Sequence, residues 1–108
     1  MTKTKSPVAL SGKQKKFLRG IGHHLEPSVL VGHEGLTDNL LRSCDDGLQA
    51  HELIKIKLGQ NCPLPKHDAA AQLAEKTGSL LIQLIGRTIL LYRTNKNLPA
   101  DKTIHLPR

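Results

Sequence analysis

Two glycines, Gly32 and Gly35, bracket His33 and Glu34. They stand directly after the apolar run Val29-Leu30-Val31 and directly before Leu36-Thr37. The chemistry open to such a loop is anion capture. Without Cβ atoms, a foreign backbone can come close on either side of a tight turn. A helix opening at Thr37 would aim its unpaired N–H groups and positive dipole end at the same spot. In a chain of 108 residues with a net charge of +7, the expected anion is a phosphate. Taken alone, Gly-x-x-Gly is also the form of an ordinary strand-to-helix turn. Glu34 sets a carboxylate beside the proposed phosphate, where its charge is repulsive.

The other reactive residue types form no catalytic pattern. Six histidines include the adjacent pair His23-His24, but there is no H-x-x-x-H and no Cys/His cluster, so no metal site is expected. Cys44 and Cys62 fit neither a zinc ribbon nor a C-x-x-C redox motif. Asp45 and Asp46 are neighbours on a predicted helix and point about 100° apart, as on a solvated face. No nucleophile stands with a base, and no Walker A or Rossmann fingerprint is present. Neither an enzyme nor a bound cofactor is expected. The two aromatics, Phe17 and Tyr92, cannot build a base-stacking platform of the RRM or OB kind. Phe17 falls on an apolar stripe and is expected in the core; Tyr92 could stack a base or simply pack.

Charge is placed unevenly. Residues 1–25 hold Lys3, Lys5, Lys13, Lys15, Lys16 and Arg19 and no acid. Residues 26–86 hold five basic and eight acidic side chains. Residues 87–108 hold Arg87, Arg93, Lys96, Lys102 and Arg108 against Asp101 alone. If the two chain ends meet on one face, that face is a nucleic-acid footprint. No apolar run approaches the roughly 18 residues of a membrane span, and no signal-peptide h-region follows the start. A cytoplasmic protein with reduced thiols is expected.

The elements that must position these residues read as follows. Residues 1–10 form a disordered basic tail. Ser11 and Gln14 make a capping box that opens a helix. Phe17, Leu18, Ile21 and Leu25 form its stripe, with Lys15, Lys16, Arg19 and His23 opposite. Pro27 ends it. Ser28–Val31 is a short buried strand. Thr37 caps a second helix, ending near His51, with Leu40, Leu41, Cys44 and Leu48 inward. Leu53–Leu58 alternates as a strand. A third helix covers 68–76 with Gly78 as its stop. Ser79–Ile85 and Thr88–Arg93 are strands joined by Gly86-Arg87, a pair suited to a type II′ turn. Residues 94–108 read as an extended basic tail. The order αβαβαββ predicts an α+β two-layer sandwich with a four-stranded mixed sheet, the first two strands parallel and the last two antiparallel. Residues 11–93 are the domain.

A strand, a Gly-x-x-Gly loop and a capped helix in a small basic chain form the arrangement by which a KH domain clamps backbone nucleotides. The chain also resembles a more specific family. Its segments Leu10–Gly20, Leu25–Thr37, His51–Lys57 and Ile85–Arg93, with the terminal Leu106-Pro107-Arg108, are similar to the YhbY family of small bacterial RNA-binding proteins, the stand-alone form of the CRM domain. The resemblance implies the αβαβαββ fold, similar to the C-terminal domain of bacterial translation initiation factor 3. It implies association with precursors of the large ribosomal subunit during assembly. It carries the RNA-contact role onto Gly32, His33, Glu34 and Gly35 and onto basic residues nearby. Thr37 and its helix would receive a phosphate. Lys13, Lys15, Lys16 and Arg19 would hold flanking phosphates, with Arg87 and Arg93 contributing if the last hairpin lies on the same face. A monomer bound to ribosomal RNA is expected. The alternative is a ribosome-associated adaptor that contacts proteins through its tails.

Overall fold

In the computed structural model, which describes residues 9–108, the elements run α1 (Gly12–His23), β1 (Val29–Val31), α2 (Asp38–His51), β2 (Leu53–Leu58), α3 (Lys66–Thr77), β3 (Leu80–Ile85) and β4 (Thr88–Tyr92). The expectation for residues 1–8 lies outside the described residues. The helix starts follow local chemistry. Ser11 Oγ accepts from the Gln14 N–H and Gln14 Oε1 accepts from the Ser11 N–H, which closes the capping box. Thr37 Oγ1 accepts from the Leu40 N–H at 3.1 Å and opens α2. The helix ends differ. Gly78 stops α3 in the left-handed region at φ 62°, whereas α2 stops on Glu52, a non-glycine at φ 65°.

The sheet has the order β1-β2-β4-β3, with β1 parallel to β2 and the other pairs antiparallel. Gly86 takes φ 56° and Arg87 does not share its sign, as the II′ hairpin requires. The alternation of β2 splits the interior. Ile54, Ile56 and Leu58 join Val31, Cys44, Leu48, Leu73, Ile89 and Leu91 in the core between the sheet and the pair α2 and α3. That half is the expected two-layer sandwich. The reverse face carries a second cluster of Leu18, Leu53, Ile82, Leu90 and Tyr92 under α1, so α1 adds a partial third layer that the element order does not reveal. Gly22 lets it sit close: a Cβ there would lie 2.5 Å from Leu90 Cδ2. Lys55 Nζ then donates to the Gly22 and Leu25 carbonyls at 3.0 and 3.2 Å, which caps the helix end onto the sheet.

Three local expectations need correcting. β1 is an edge strand rather than a buried one, and its Leu30 is 63% exposed. Phe17 is not core; it is 40% exposed, because the adjacent Leu18 takes the inward position and residues one apart diverge by about 100°. Residues 94–108 carry neither helix nor strand, but they are not a free tail. Ile104 and Leu106 pack on the second cluster, and Gln14 Nε2 donates to the Pro107 carbonyl at 3.0 Å. The buried Glu52 carboxylate accepts from the Asn95 N–H at 2.7 Å and from the Ile104 N–H at 2.8 Å. The segment is a strap bound at both ends.

Candidate nucleic-acid interface

Parallel pairing of β1 and β2 brings their C-terminal ends to one end of the sheet, and the antiparallel hairpin returns Gly86-Arg87 to the same end. The loops Gly32–Thr37 and Gly59–Pro65 therefore stand beside the hairpin turn. Both α2 and α3 start here, so both positive dipole ends face this end. Within the first loop, the Gly35 N–H donates to the Gly32 carbonyl at 3.1 Å and the Thr37 N–H to the Gly35 carbonyl at 3.2 Å. Among the described residues, neither the His33 nor the Glu34 N–H has an acceptor. The loop tip presents two unspent donors, with both side chains exposed.

The two glycines differ in what holds them. Gly35 is buried at φ 73°, with Pro63 Cγ 3.5 Å from where a Cβ would stand. The fold itself demands glycine there. Gly32 has an ordinary φ and open space around its missing Cβ. Nothing in the fold asks for glycine at that position, so the room above it is available to a ligand. Thr37 is the expected cap of α2: its hydroxyl oxygen accepts from the Leu40 N–H, with Asp38 in the first turn, and its O–H remains a donor.

The basic residues separate into three groups. Arg87 belongs to the loop end. Its Nε donates to the Leu58 carbonyl at 3.2 Å and its Nη2 to the Gly59 carbonyl at 2.6 Å. Gly59 in turn donates to the Val31 carbonyl at 2.8 Å, one residue before Gly32, so the guanidinium is pinned next to the loop. Arg93 lies at the opposite end, and the structure removes it from the candidate site. Its Nη1 donates to Asp45 Oδ1 and to the Thr77 carbonyl, each at 2.7 Å, and its Nη2 to the Asp45 carbonyl at 3.2 Å. The same ion pair corrects the reading of Asp45 as merely solvated. Lys13, Lys15 and Lys16 are exposed on α1 and Arg19 is half-buried there. They flank the reverse face of the sheet rather than the loop.

Between these groups lies a bare strip that sequence reading missed. In register across the sheet stand Leu30, Lys57, Thr88 and Ile85, all on the reverse face. Leu30 and Ile85 are 63% and 61% exposed. The alternation of β2 put Lys57 on that face, but only strand order could show that α1 leaves it uncovered. Tyr92 is buried, and burial followed by the Glu52 carboxylate pushes its phenol up to about 12, so it packs and does not stack. Among the described residues, no group of three or more His, Cys, Asp or Glu side chains converges, and no helix is long and apolar enough to cross a membrane.

The CRS1 / YhbY (CRM) domain model matches residues 10–93. A Bacillus subtilis (strain 168) relative named "Probable RNA-binding protein YqeI" is 45% identical over 98 residues, spanning 91% of this chain and 99% of that one. A Haemophilus influenzae relative named "RNA-binding protein" is 37% identical, spanning 94% of this chain and 98% of its own. The solution structure of the Staphylococcus aureus protein SAV1595 superposes with a TM-score of 0.73 at 38% identity, covering 92% of this chain and all of that one.

Proposed function

Because the chain belongs to the CRS1/YhbY (CRM) domain family, we propose that it binds RNA without catalysis, docking on ribosomal RNA of the precursor large subunit during assembly. The relatives named as RNA-binding proteins support RNA as the partner class. The observation that carries the mode of binding is Gly32. It lacks a side chain at a position where the fold would accept one, beside two unspent loop N–H groups and the pinned Arg87. A phosphate at the loop tip would accept from the His33 and Glu34 N–H groups, with Arg87 as its counter-charge and the dipole ends of α2 and α3 behind it. Glu34 is exposed, so its carboxylate can turn outward while its N–H faces the anion. The lysines of α1 would hold further phosphates along the reverse face. Each phosphate neutralised steepens the fall of affinity with salt.

Crosslinking in cells followed by sequencing of the bound RNA tests the partner. Enrichment of large-subunit ribosomal RNA is expected. Recovery of none above background would sink the assembly reading.

A further inference from the structure

One face of α1 repeats at helical spacing: Lys13, Lys16-Phe17, Gly20-Ile21 and His24. With Pro107 of the C-terminal strap, these residues line an open groove of about 580 Å³. Phe17 is the only phenylalanine in the chain, and the only other aromatic among Phe, Tyr and Trp, Tyr92, is buried. An exposed aromatic ring on a helix whose core position is already filled by Leu18 adds nothing to the two interior clusters. Gly20, one turn beyond Phe17, weakens a helix interior. Yet nothing stands within 4 Å of where its Cβ would be, so packing does not require glycine. Its missing side chain leaves the approach to the ring open. The groove carries two cations, Lys13 and Lys16, Arg108 follows Pro107 in the sequence, and residues 1–25 hold no acid.

We propose that Phe17 stacks an unpaired RNA base in this groove, while Lys13 and Lys16 hold the phosphates on either side of it. A flat apolar ring between cations matches a nucleotide, whose base has an apolar face and whose backbone is anionic. A helix or apolar peptide would find the same floor but no use for Lys13 and Lys16. The strap is part of the site: the Gln14-to-Pro107 hydrogen bond holds its wall against α1. The proposal rests on the RNA reading above and adds a second contact, specific for single strands, remote from the Gly32 loop.

The chain has no tryptophan, so Phe17→Trp creates a single reporter. Titration with single-stranded oligoadenylate should quench its emission; the oligoadenylate–oligouridylate duplex should not. Phe17→Ala should weaken single-strand binding by about tenfold and Phe17→Tyr should restore it, as loss and recovery of one stacked base imply. Phe17→Ala should melt like the wild type, since the ring is outside both clusters. Gly20→Leu, which crowds the ring from outside, should reproduce the Phe17→Ala loss. Unchanged single-strand affinity in Phe17→Ala overturns the stacking site, and if that variant also leaves ribosomal particles, the groove holds a protein instead. A wild type that binds ribosomal RNA duplexes but no single strand also overturns it while the RNA reading stands. A wild type that binds no RNA overturns both.

Discussion

At the end of the sheet where β2 begins and β4 finishes, charged groups are turned inward: Glu52 holds the strap at two N–H groups, and Arg93 ties Asp45 on α2 to the end of α3. At the other end, Arg87 is pinned only by carbonyls, the His33 and Glu34 N–H groups are unspent among the described residues, and Gly32 leaves space. A carbonyl acceptor fixes the position of a guanidinium without cancelling its charge, whereas a carboxylate partner cancels it. The first end therefore secures the fold, and the second keeps its cation and donors for a ligand. A basic residue in this chain cannot be assigned to RNA by its charge; what its donors already touch decides.

The strongest way to break this comparison is at Glu52. Glu52→Ala leaves the Asn95 and Ile104 N–H groups without their acceptor while keeping the left-handed backbone, and should cost ~3 kcal/mol of stability in chemical denaturation. Glu52→Gly should recover ~1 kcal/mol of that loss by relieving the positive φ. RNA affinity of the folded fraction should not move. A loss of affinity without loss of stability would show that this end also serves the ligand.

The opposite signature is expected at Gly32. Gly32→Asp puts a carboxylate into open space, so stability should stay within ~0.5 kcal/mol of wild type. Affinity for RNA should fall about tenfold, the equivalent of ~1.4 kcal/mol. Gly35 is unsuited to this test, because any side chain there strains a backbone at φ 73°. Equal RNA affinity in wild type and Gly32→Asp would reduce the loop to a structural turn.

Much of the frame was legible because its causes are local. Ser11 with Gln14, Thr37, the alternation of Leu53–Leu58 and the Gly86-Arg87 pair each carry their own geometry within a few residues. What was illegible depends on partners far apart in the chain. Arg93 looks like any exposed strand-end cation until α2 brings Asp45 to it. Residues 94–108 lack periodicity because a strap is held at isolated points, by Glu52, Gln14 and two apolar side chains. Phe17 and Leu18 share the predicted stripe, and only the way α1 packs on the sheet decides that Leu18 alone is buried. The loop was found from two glycines, but that the backbone favours glycine only at Gly35 follows from its φ of 73°, which no spacing in the sequence reveals.

Arg87 sharpens the comparison by a smaller amount. Arg87→Gln keeps an amide able to replace Nε at the Leu58 carbonyl but removes the charge and the reach to Gly59. Affinity should drop about three- to fivefold, and the slope of log affinity against log salt should shrink by about one counterion's worth. The matching change at the other end, Arg93→Gln, should leave the salt slope alone and lower the melting temperature. If both variants change the slope equally, the two ends are not distinct.

A separate effect, absent at neutral pH, is a pH dependence of the buried groups. Burial, aided by Asp45, pushes the Cys44 thiol from 9.0 up to about 11; burial, aided by Glu52, pushes the Tyr92 phenol from 10.0 up to about 12. Between those values the folded chain keeps protons that the unfolded chain has lost. Stability contributed by these groups is therefore complete below pH 9 and declines as pH rises from 9 towards 12, with a limiting slope of ~1.4 kcal/mol per pH unit for each group. The Cys44→Ala, Tyr92→Phe double variant should start less stable, from the lost thiol packing, but decline less steeply when unfolding midpoints are followed from neutral to alkaline pH. Parallel decline in the two proteins would show that Cys44 and Tyr92 do not carry the alkaline loss of stability, and that burying these two groups at the inward-turned end of the sheet adds nothing to the pH dependence of the fold.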